Sequence, residues 1–223
     1  MRFARRRTGH FDVPVEHLVL RITGPDDLYE EARAAGMSFW EQIQSFAVRN
    51  RDFQNRKRPM LVPVGAPPII REMAELSARA GVGPMFAFQG ALTEFVGRTM
   101  ANRLRETVVS CGGDHYVVSR RRTRLPLHQP GVANGSLGIV LKPDLGPQGV
   151  YSTLGKGQAD GLVVVASSCI LADAAAAAAS AILTKRGAFG AALRYLKDIP
   201  GVHGAVVVQG ERIGVAGSLE LAA

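Results

Sequence analysis

The sequence predicts an α+β fold, with mixed or antiparallel sheets packed against helices, in a single domain over residues 1–223 that carries an N-terminal strand–helix arm over about residues 1–60. The first observation is the order of elements, in which strands and helices come in separate runs instead of alternating one by one. The second is the composition, 47% hydrophobic and 21% charged, which is typical of globular proteins. The third is the length, since a chain of 223 residues buries roughly 70% of its unfolded surface.

The N-terminal arm is predicted to contain a strand and a long helical stretch. Loosely alternating apolar residues over residues 11–22 indicate a strand that ends at a Gly-Pro pair. Helical spacing covers residues 26–48, and its acidic first turn suits a helix N-terminus. We expect Gly36 to break this helix in two, and the basic stretch over 49–58 to be a loop or a frayed helix end.

Two helices and an interrupted strand follow. A Pro-Pro pair opens a helix over residues 69–80, and a third helix is predicted over residues 85–104. The apolar period then changes to two, which indicates strands over 107–109 and 116–118 on either side of Gly112-Gly113. These elements place the central glycine pair inside a β region.

The C-terminal half is predicted to contain a run of strands, then two helices, and then a final hairpin. Six consecutive alanines over residues 174–179 indicate a helix that can press close against its neighbours, because alanine combines high helix propensity with a small side chain. The remaining elements are strands over 137–141, 150–153 and 162–166, a short helix over 188–196, and a hairpin of 205–208 with 213–215.

Composition argues against several classes of protein. Cys111 and Cys169 form no CxxC pair, so neither a disulfide scaffold nor a structural zinc site is expected. No window approaches the roughly 20 consecutive apolar residues of a membrane-spanning helix. The basic N-terminus lacks the apolar core of a secretion signal, so we expect a cytoplasmic protein without membrane contact.

The formal net charge of +8 favours anionic partners, although solubility alone also accounts for it. Basic residues cluster over 2–7, 49–58 and 120–124. Nucleic-acid binding would also need aromatic residues beside the charge, yet aromatics make up only 6% and no nucleic-acid motif occurs, so nucleic acid is not the expected partner. The sequence leaves a protein partner and a homo-oligomer open.

The segment Gly81-Val82-Gly83-Pro84-Met85 is the first candidate site. It is similar to the start of a dinucleotide fingerprint, but Phe86 replaces the required glycine and a helix precedes it instead of a strand. Two interpretations remain: backbone amides at the next helix N-terminus that hold an anion, or a plain helix–helix turn.

The segment Ser110-Cys111-Gly112-Gly113-Asp114-His115 is the second candidate. Paired glycines weaken a strand, so they indicate either close approach of a ligand, with Asp114 as its polar anchor, or a β-bulge or hairpin. Neighbours in a strand point to opposite faces, so Asp114 and His115 are not expected to act together.

Asp173 at the front of the alanine-rich helix is the third candidate. A helix cap is the simpler role, and a contact to a ligand or a metal is the functional one. The histidines at 10, 17, 128 and 203 have no suitably spaced partners, and GxSxG, HExxH and P-loop motifs do not occur.

Together these motifs resemble the uncharacterised ApbE-like family of bacteria and archaea, within the wider group of FAD:protein FMN transferases (ApbE), whose fold is α+β. The resemblance covers about residues 10–220 in the family's order. It runs from Gly81–Met85 into Gln89-Gly90-Ala91 and Glu94-Phe95-Val96-Gly97, and then through Gly112-Gly113-Asp114 to Ala172-Asp173-Ala174.

The resemblance implies that the matching motifs of the transferases, Lys-Gly, Gly-Gly-Asp or Gly-Gly-Glu, and Ala-Asp-Ala, bind FAD and magnesium. This sequence departs from that pattern. Gln89 stands in place of the Lys, Ser110 or Cys111 in place of an Asn, and Ala177 in place of a Thr one turn after the metal-binding Asp. The loop expected to carry a His, near residues 153–160, is shortened to residues 153–158 and has no His.

These departures argue against the transfer reaction. Magnesium requires near-octahedral oxygen coordination, and Asp173 followed one turn later by a methyl group is a poor site for it. Without the Lys and the Thr, stabilisation of the departing phosphate is lost. We therefore expect a site that still binds a related heterocycle or nucleotide.

The expected function is binding of a flavin such as FAD, a pterin or a nucleotide-like ligand with a flat ring or a phosphate. The resemblance also implies, by association and without a mechanism, a role in one-carbon metabolism that uses tetrahydromethanopterin. The expected ligand-binding residues are Gly83, Met85, Gln89, Gly90, Ser110, Cys111, Gly112, Gly113, Asp114, Thr153 and Asp173, with Asp173 also the candidate metal ligand.

Two other functions stay open. The chain could be an active FAD-dependent FMN transferase that recruits different metal ligands, such as Asp160 together with Asp173. It could instead be a nonenzymatic interaction protein that docks an acidic partner through Arg120-Arg121-Arg122 at a hairpin tip.

Overall fold

The protein is described here by a computed structural model that covers residues 9–126, 138–154 and 161–222. Its strands are β1 Gly9–Val15, β2 Leu18–Gly24, β3 Thr107–Cys111, β4 Asp114–Val118, β5 Thr123–Pro126, β6 Gly138–Leu141, β7 Gln148–Leu154, β8 Gly161–Ala166, β9 Val202–Gln209, β10 Arg212–Gly217 and β11 Glu220–Ala222. Its helices are α1 Tyr29–Arg49, α2 Arg51–Asn55, α3 Pro68–Arg79, α4 Phe88–Ala101, α5 Cys169–Leu183 and α6 Phe189–Asp198.

An eight-stranded antiparallel sheet in the order β1-β2-β3-β4-β7-β8-β9-β10 organises the described residues. Helices pack on one face of this sheet. On the other face, Val117 and Val163 pack with Ile139 and Leu141 of a small sheet in the order β11-β6-β5. The predicted α+β fold with antiparallel sheets and packed helices is confirmed.

The prediction of one strand over residues 11–22 is wrong, because β1 and β2 form a hairpin there. Buried side chains occupy odd-numbered positions in β1, such as Val13 and Val15, but even-numbered positions in β2, such as Leu20. That change of phase marks a two-residue turn at Glu16-His17, and Glu16 adopts a left-handed φ of 52°. β2 then pairs with β3, so the N-terminal strands join the large sheet.

Gly36 does not break the first helix, since α1 continues through it. A Cβ on Gly36 would lie 2.6 Å from Cγ2 of Val15. The glycine therefore lets α1 approach β1 closely, and this packing gain outweighs its low helix propensity. The third helix also begins later than predicted, at Phe88, because a 3-10 turn over Pro84–Ala87 precedes it.

The alanine-rich helix α5 packs tightly, as expected from its composition. Alanines 174, 175, 176 and 179 are fully buried. A Cβ on Gly149 of β7 would collide with the backbone of Cys169, and one on Gly90 of α4 would lie 2.5 Å from the Cys169 carbonyl oxygen. The start of α5 is thus held against both the sheet and α4 by positions without side chains.

No helix within the described ranges is both long and apolar enough to cross a membrane. The basic cluster over residues 2–7 lies outside the described residues.

Candidate functional site

The N-terminal turns of α4 and α5 meet, and each is capped by a carboxylate of the other helix. Oε2 of Glu94 accepts hydrogen bonds from the backbone N–H groups of Cys169 and Ile170, at 2.7 and 3.1 Å. Oδ2 of Asp173 accepts one from the backbone N–H of Gly90, at 3.0 Å. These bonds satisfy donors that a helix start leaves without intrahelical partners, and they suit the positive end of each helix dipole.

Glu94 is buried and fully bonded. Besides the two amides, its Oε2 accepts a 2.6 Å hydrogen bond from the Ser168 hydroxyl, the N-cap residue of α5. Its Oε1 pairs with Arg98, which also bonds Glu72 in a bidentate manner at 2.7 and 2.9 Å. The resemblance motif contained this residue, but the sequence assigned it no role.

The glycine pair forms a hairpin turn between β3 and β4, and it is therefore a hairpin and not a β-bulge. Gly112 has a φ of +57°, which glycine adopts without strain. A Cβ on Gly113 would lie 2.5 Å from the Ser152 carbonyl oxygen, and a Cβ on Gly112 would lie 3.7 Å from the Gln89 side-chain amide. The turn therefore lies between β7 and the start of α4, with Gln89 beside it.

Asp114 follows the turn and points into the helical side of the sheet. It is fully buried, its Oδ1 lies 3.9 Å from the Cys169 thiol, and its Oδ2 has no hydrogen-bond partner. Burial, together with the negative charge of Asp173, holds the pKa of Asp114 well above its usual range. A buried carboxyl with an unpartnered oxygen is rare in native proteins.

Asp173 is the more exposed member of this carboxyl pair. Burial raises the pKa of Asp173 to about 7, opposed by its hydrogen bond from Gly90. Among the described residues, no Lys or Arg contributes to the pKa of either carboxyl. The pair is therefore short of positive charge and of hydrogen-bond donors. Asp173 therefore caps α4, whereas the N-cap of its own helix, α5, is Ser168.

Cys111 and Ser110 lie on opposite faces of β3. Cys111 is buried on the side of Asp114, and burial raises the pKa of its thiol to about 12. Ser110 faces the other side, where its hydroxyl lies 2.8 Å from Nδ1 of His115. Since Ser110 and His115 share this face, they stand apart from the carboxyl pair of Asp114 and Asp173.

The segment Gly81–Met85 is a packed helix–helix turn. The backbone N–H of Gly83 donates to the Lys57 carbonyl oxygen at 3.1 Å, and a Cβ on Gly83 would collide with the Arg56 carbonyl. The amides of Gly81 and Val82 donate to carbonyls of α3. These three amides are therefore occupied within the protein, and Met85 is half-buried against the main core.

The described donors do not by themselves form a magnesium site. Ala177, one turn after Asp173 on α5, offers only a methyl group. In the described ranges, no group of three or more His, Cys, Asp or Glu side chains could hold a metal ion. The backbone of Thr153 pairs with Leu162, whereas Asp160 and the rest of that loop lie outside the described residues.

The structure brings together five elements of the predicted site, which we call the Gly-Gly-Asp site: Gln89, Gly90, Gly112-Gly113, Asp114 and Asp173. Gly83 and Ser110 are not part of this site, because Gly83 packs against Arg56 and Ser110 lies on the opposite face of β3 beside His115. Sequence reasoning assigned no role to Glu94 and Cys169, which link α4, α5 and Asp114. A glutamate on the otherwise buried face of α4 is the signal that could have revealed Glu94.

Solved structures with the same fold include flavin transferases. The chain aligns with the apo form of the flavinyl transferase ApbE from Pseudomonas stutzeri with a TM-score of 0.62 and 13% identity, covering 98% of this chain and 96% of the other. It aligns with the flavin transferase ApbE from Vibrio cholerae with a TM-score of 0.61 and 10% identity, covering 96% and 97%. At these identities the similarity shows the fold alone.

Relatives in sequence include archaeal proteins. A UPF0280 protein of Methanocella arvoryzae is 30% identical over 186 residues, covering 80% of this chain and 76% of the relative. A UPF0280 protein of Methanosarcina acetivorans is 26% identical over 219 residues, covering 92% and 87%. A family model described as "AbpE bacteria" matches residues 2–189. The chain therefore belongs to this uncharacterised ApbE-like family.

Proposed function

We propose that this protein binds a flavin, or a closely related flat heterocycle, at the Gly-Gly-Asp site, and that it does not transfer FMN by the route of the flavin transferases. One observation carries the proposal: the half-exposed carboxyl of Asp173 receives a single peptide N–H, beside the fully buried Asp114, whose Oδ2 has no partner. Asp173 can therefore accept from further donors, which the described residues do not supply.

The ring edge of a flavin or a pterin supplies those donors. Both heterocycles present ring N–H groups next to carbonyl oxygens. A carboxylate accepts from the N–H groups, and the Gln89 amide can both donate and accept. Asp173 and Gln89 are half-exposed, so they are the direct contacts, whereas Asp114 is fully buried and does not contact the ligand.

The glycine turn supplies room for the ring. Gly112 has no side chain on the side where Gln89 lies, and its left-handed φ excludes most other residues. A ligand can therefore approach the backbone of the turn closely. The similar folds named as flavin transferases favour a flavin over other flat ligands. Neither the relatives nor the similar folds support a pterin or a one-carbon role, so a pterin enters only as a competing probe.

The residues argue against the transfer reaction. Gln89 cannot supply the positive charge of a lysine, and Ala177 cannot supply the oxygen of a threonine. Incubation with FAD, magnesium and a Thr-bearing acceptor protein should therefore leave no covalent flavin on the acceptor, by mass spectrometry. Covalent flavin there would establish the alternative, an active transferase.

Thermal unfolding with FAD, FMN, riboflavin and a pterin tests the binding. A ligand at 100 times its dissociation constant adds about 2.7 kcal/mol to stability, which raises Tm by several degrees. We expect a shift with a flavin, and its loss in Asp173→Asn. The matched control is Asp198→Asn, an exposed acid at the end of α6, which should keep the shift. A wild-type protein whose Tm no flavin moves would contradict the proposal.

A further inference from the structure

Three aromatic side chains form a row that the sequence analysis did not assign: His17, Trp40 and Phe88, which we call the ring cluster. The ring centroids of His17 and Trp40 lie 5.0 Å apart at 82°, and those of Trp40 and Phe88 lie 5.2 Å apart at 70°. His17 is exposed, and the other two rings are half-buried. The row therefore offers aromatic surface to solvent.

The ring cluster lies at the same end of the sheet as the Gly-Gly-Asp site. Phe88 precedes Gln89, whose amide lies beside Gly112. The register between β2 and β3 pairs Leu20 with Cys111, so the turn of the first hairpin, which holds His17, extends past the same end of the sheet as Gly112. Elements distant in sequence thus place their rings at the end of the sheet where the site lies.

The first hairpin turn is held in a costly conformation. Glu16 has a φ of 52°, in the left-handed region that is unfavourable for a non-glycine residue. The turn places His17 edge-on to Trp40 although His17 is exposed. Two-residue hairpin turns use a positive φ, so this conformation belongs to the turn and fixes where it places His17.

We propose that the ring cluster is the subsite that contacts the planar ring of the ligand, with Trp40 as its principal residue. This inference rests on the proposed function and specifies which part of the ligand binds where. Carboxyl and amide groups of the Gly-Gly-Asp site recognise the polar ring edge, and the indole contacts the apolar part of the ring. Removal of an aromatic side chain on which a base stacks weakens binding by about fivefold to a hundredfold.

Dissociation constants of riboflavin and FAD test the subsite. Trp40→Leu retains an apolar side chain against its buried neighbours but removes the ring. We expect this substitution to raise the dissociation constants of both flavins about tenfold or more. Trp40→Phe should restore most of the affinity. The matched control is Tyr29→Leu, which removes a half-buried ring that packs on Phe11, away from the hairpin turn, and should leave both constants unchanged.

A second readout uses the flavin itself. Trp40 is the only tryptophan of the chain, so quenching of flavin fluorescence by contact with indole should be present in wild type and in Tyr29→Leu, and lost in Trp40→Leu and in Trp40→Phe. Wild-type affinity in Trp40→Leu, with binding still lost in Asp173→Asn, would overturn the subsite and leave the proposed function in place. Absence of flavin binding by the wild type would overturn both.

Discussion

Glu94 and Asp173 lie on adjacent helices, and each accepts backbone hydrogen bonds from the first turn of the other's helix. This reciprocal capping fixes how α4 and α5 meet. It also fixes the distance of Asp173 from the glycine turn, because Gly90 follows Gln89 directly and Gln89 lies beside Gly112. Helix geometry and the proposed binding site are therefore controlled by the same two carboxylates.

Loss of the Glu94 charge should destabilise the protein. Glu94→Gln replaces a carboxylate that accepts from two amides, one hydroxyl and Arg98, so at least one donor loses its acceptor. We expect the free energy of unfolding in urea to fall by about 1–3 kcal/mol. Glu75→Gln, which removes only an exposed i,i+4 pair with Arg79, is the control and should cost less than about 1 kcal/mol. Equal losses in both variants would contradict the role of Glu94.

Stability should fall as the pH rises from about 4 to about 7. The pKa of both Asp114 and Asp173 is raised in the folded state, to about 7 for Asp173, so the folded state binds more protons than the unfolded state over this range. Their contribution to stability is therefore fully present below the unfolded pKa of roughly 4 and lost as pH rises through the folded pKa.

Urea unfolding of wild type and Asp173→Asn at pH 4.5 and 7.5 isolates this effect. The variant should lose less stability between the two pH values than wild type does. This comparison also removes the opposite contribution of His203, whose pKa is lowered by burial and which favours the folded state at higher pH. Parallel losses in wild type and variant would show that the carboxyl pair is not the source.

Substitution of the two glycines of the β3–β4 turn should have different effects on stability. A Cβ on Gly113 meets the Ser152 carbonyl at 2.5 Å, so Gly113→Ala should destabilise the protein by about 1–3 kcal/mol. Gly112→Asn meets only the flexible Gln89 side chain, and asparagine tolerates the left-handed φ, so its Tm should change little.

Gly112→Asn also tests the approach to the turn. Because the new side chain points toward Gln89, we expect the flavin-induced Tm shift to disappear while the unliganded Tm stays near that of wild type. A retained shift would show that the ligand does not contact the turn at Gly112.

The two cysteines should be unreactive in the folded protein. Burial raises the pKa of the Cys111 thiol to about 12 and that of Cys169 in the same direction, so neither forms the nucleophilic thiolate near pH 8. Titration with a disulfide reagent should detect no fast-reacting thiol in native protein and two thiols in denaturant. A fast native reaction at either cysteine would contradict the burial of both.

Local patterns in the sequence predicted most elements but missed those that depend on packing. The glycine pair correctly indicated an interruption between two strands, because turn conformations are properties of a few adjacent residues. Gly36 led to a wrong prediction, because the contact with Val15 that retains it inside α1 comes from another element. In the sequence, the hairpin at Glu16-His17 is marked only by the shift of apolar positions from odd to even residue numbers between β1 and β2.

By itself, the sequence determined the α+β class, the family and the interruption of the strands at the glycine pair, since each depends on neighbouring residues or on motifs that keep their order. Only the tertiary structure decided that Asp173 caps α4, across 83 residues, and that Glu94 bonds Ser168, across 74. It alone also decided that Asp114 is buried with an unpartnered oxygen. The physical reason is that solvent exclusion and hydrogen-bond satisfaction depend on which distant segments meet, and chain-local propensities carry no such information.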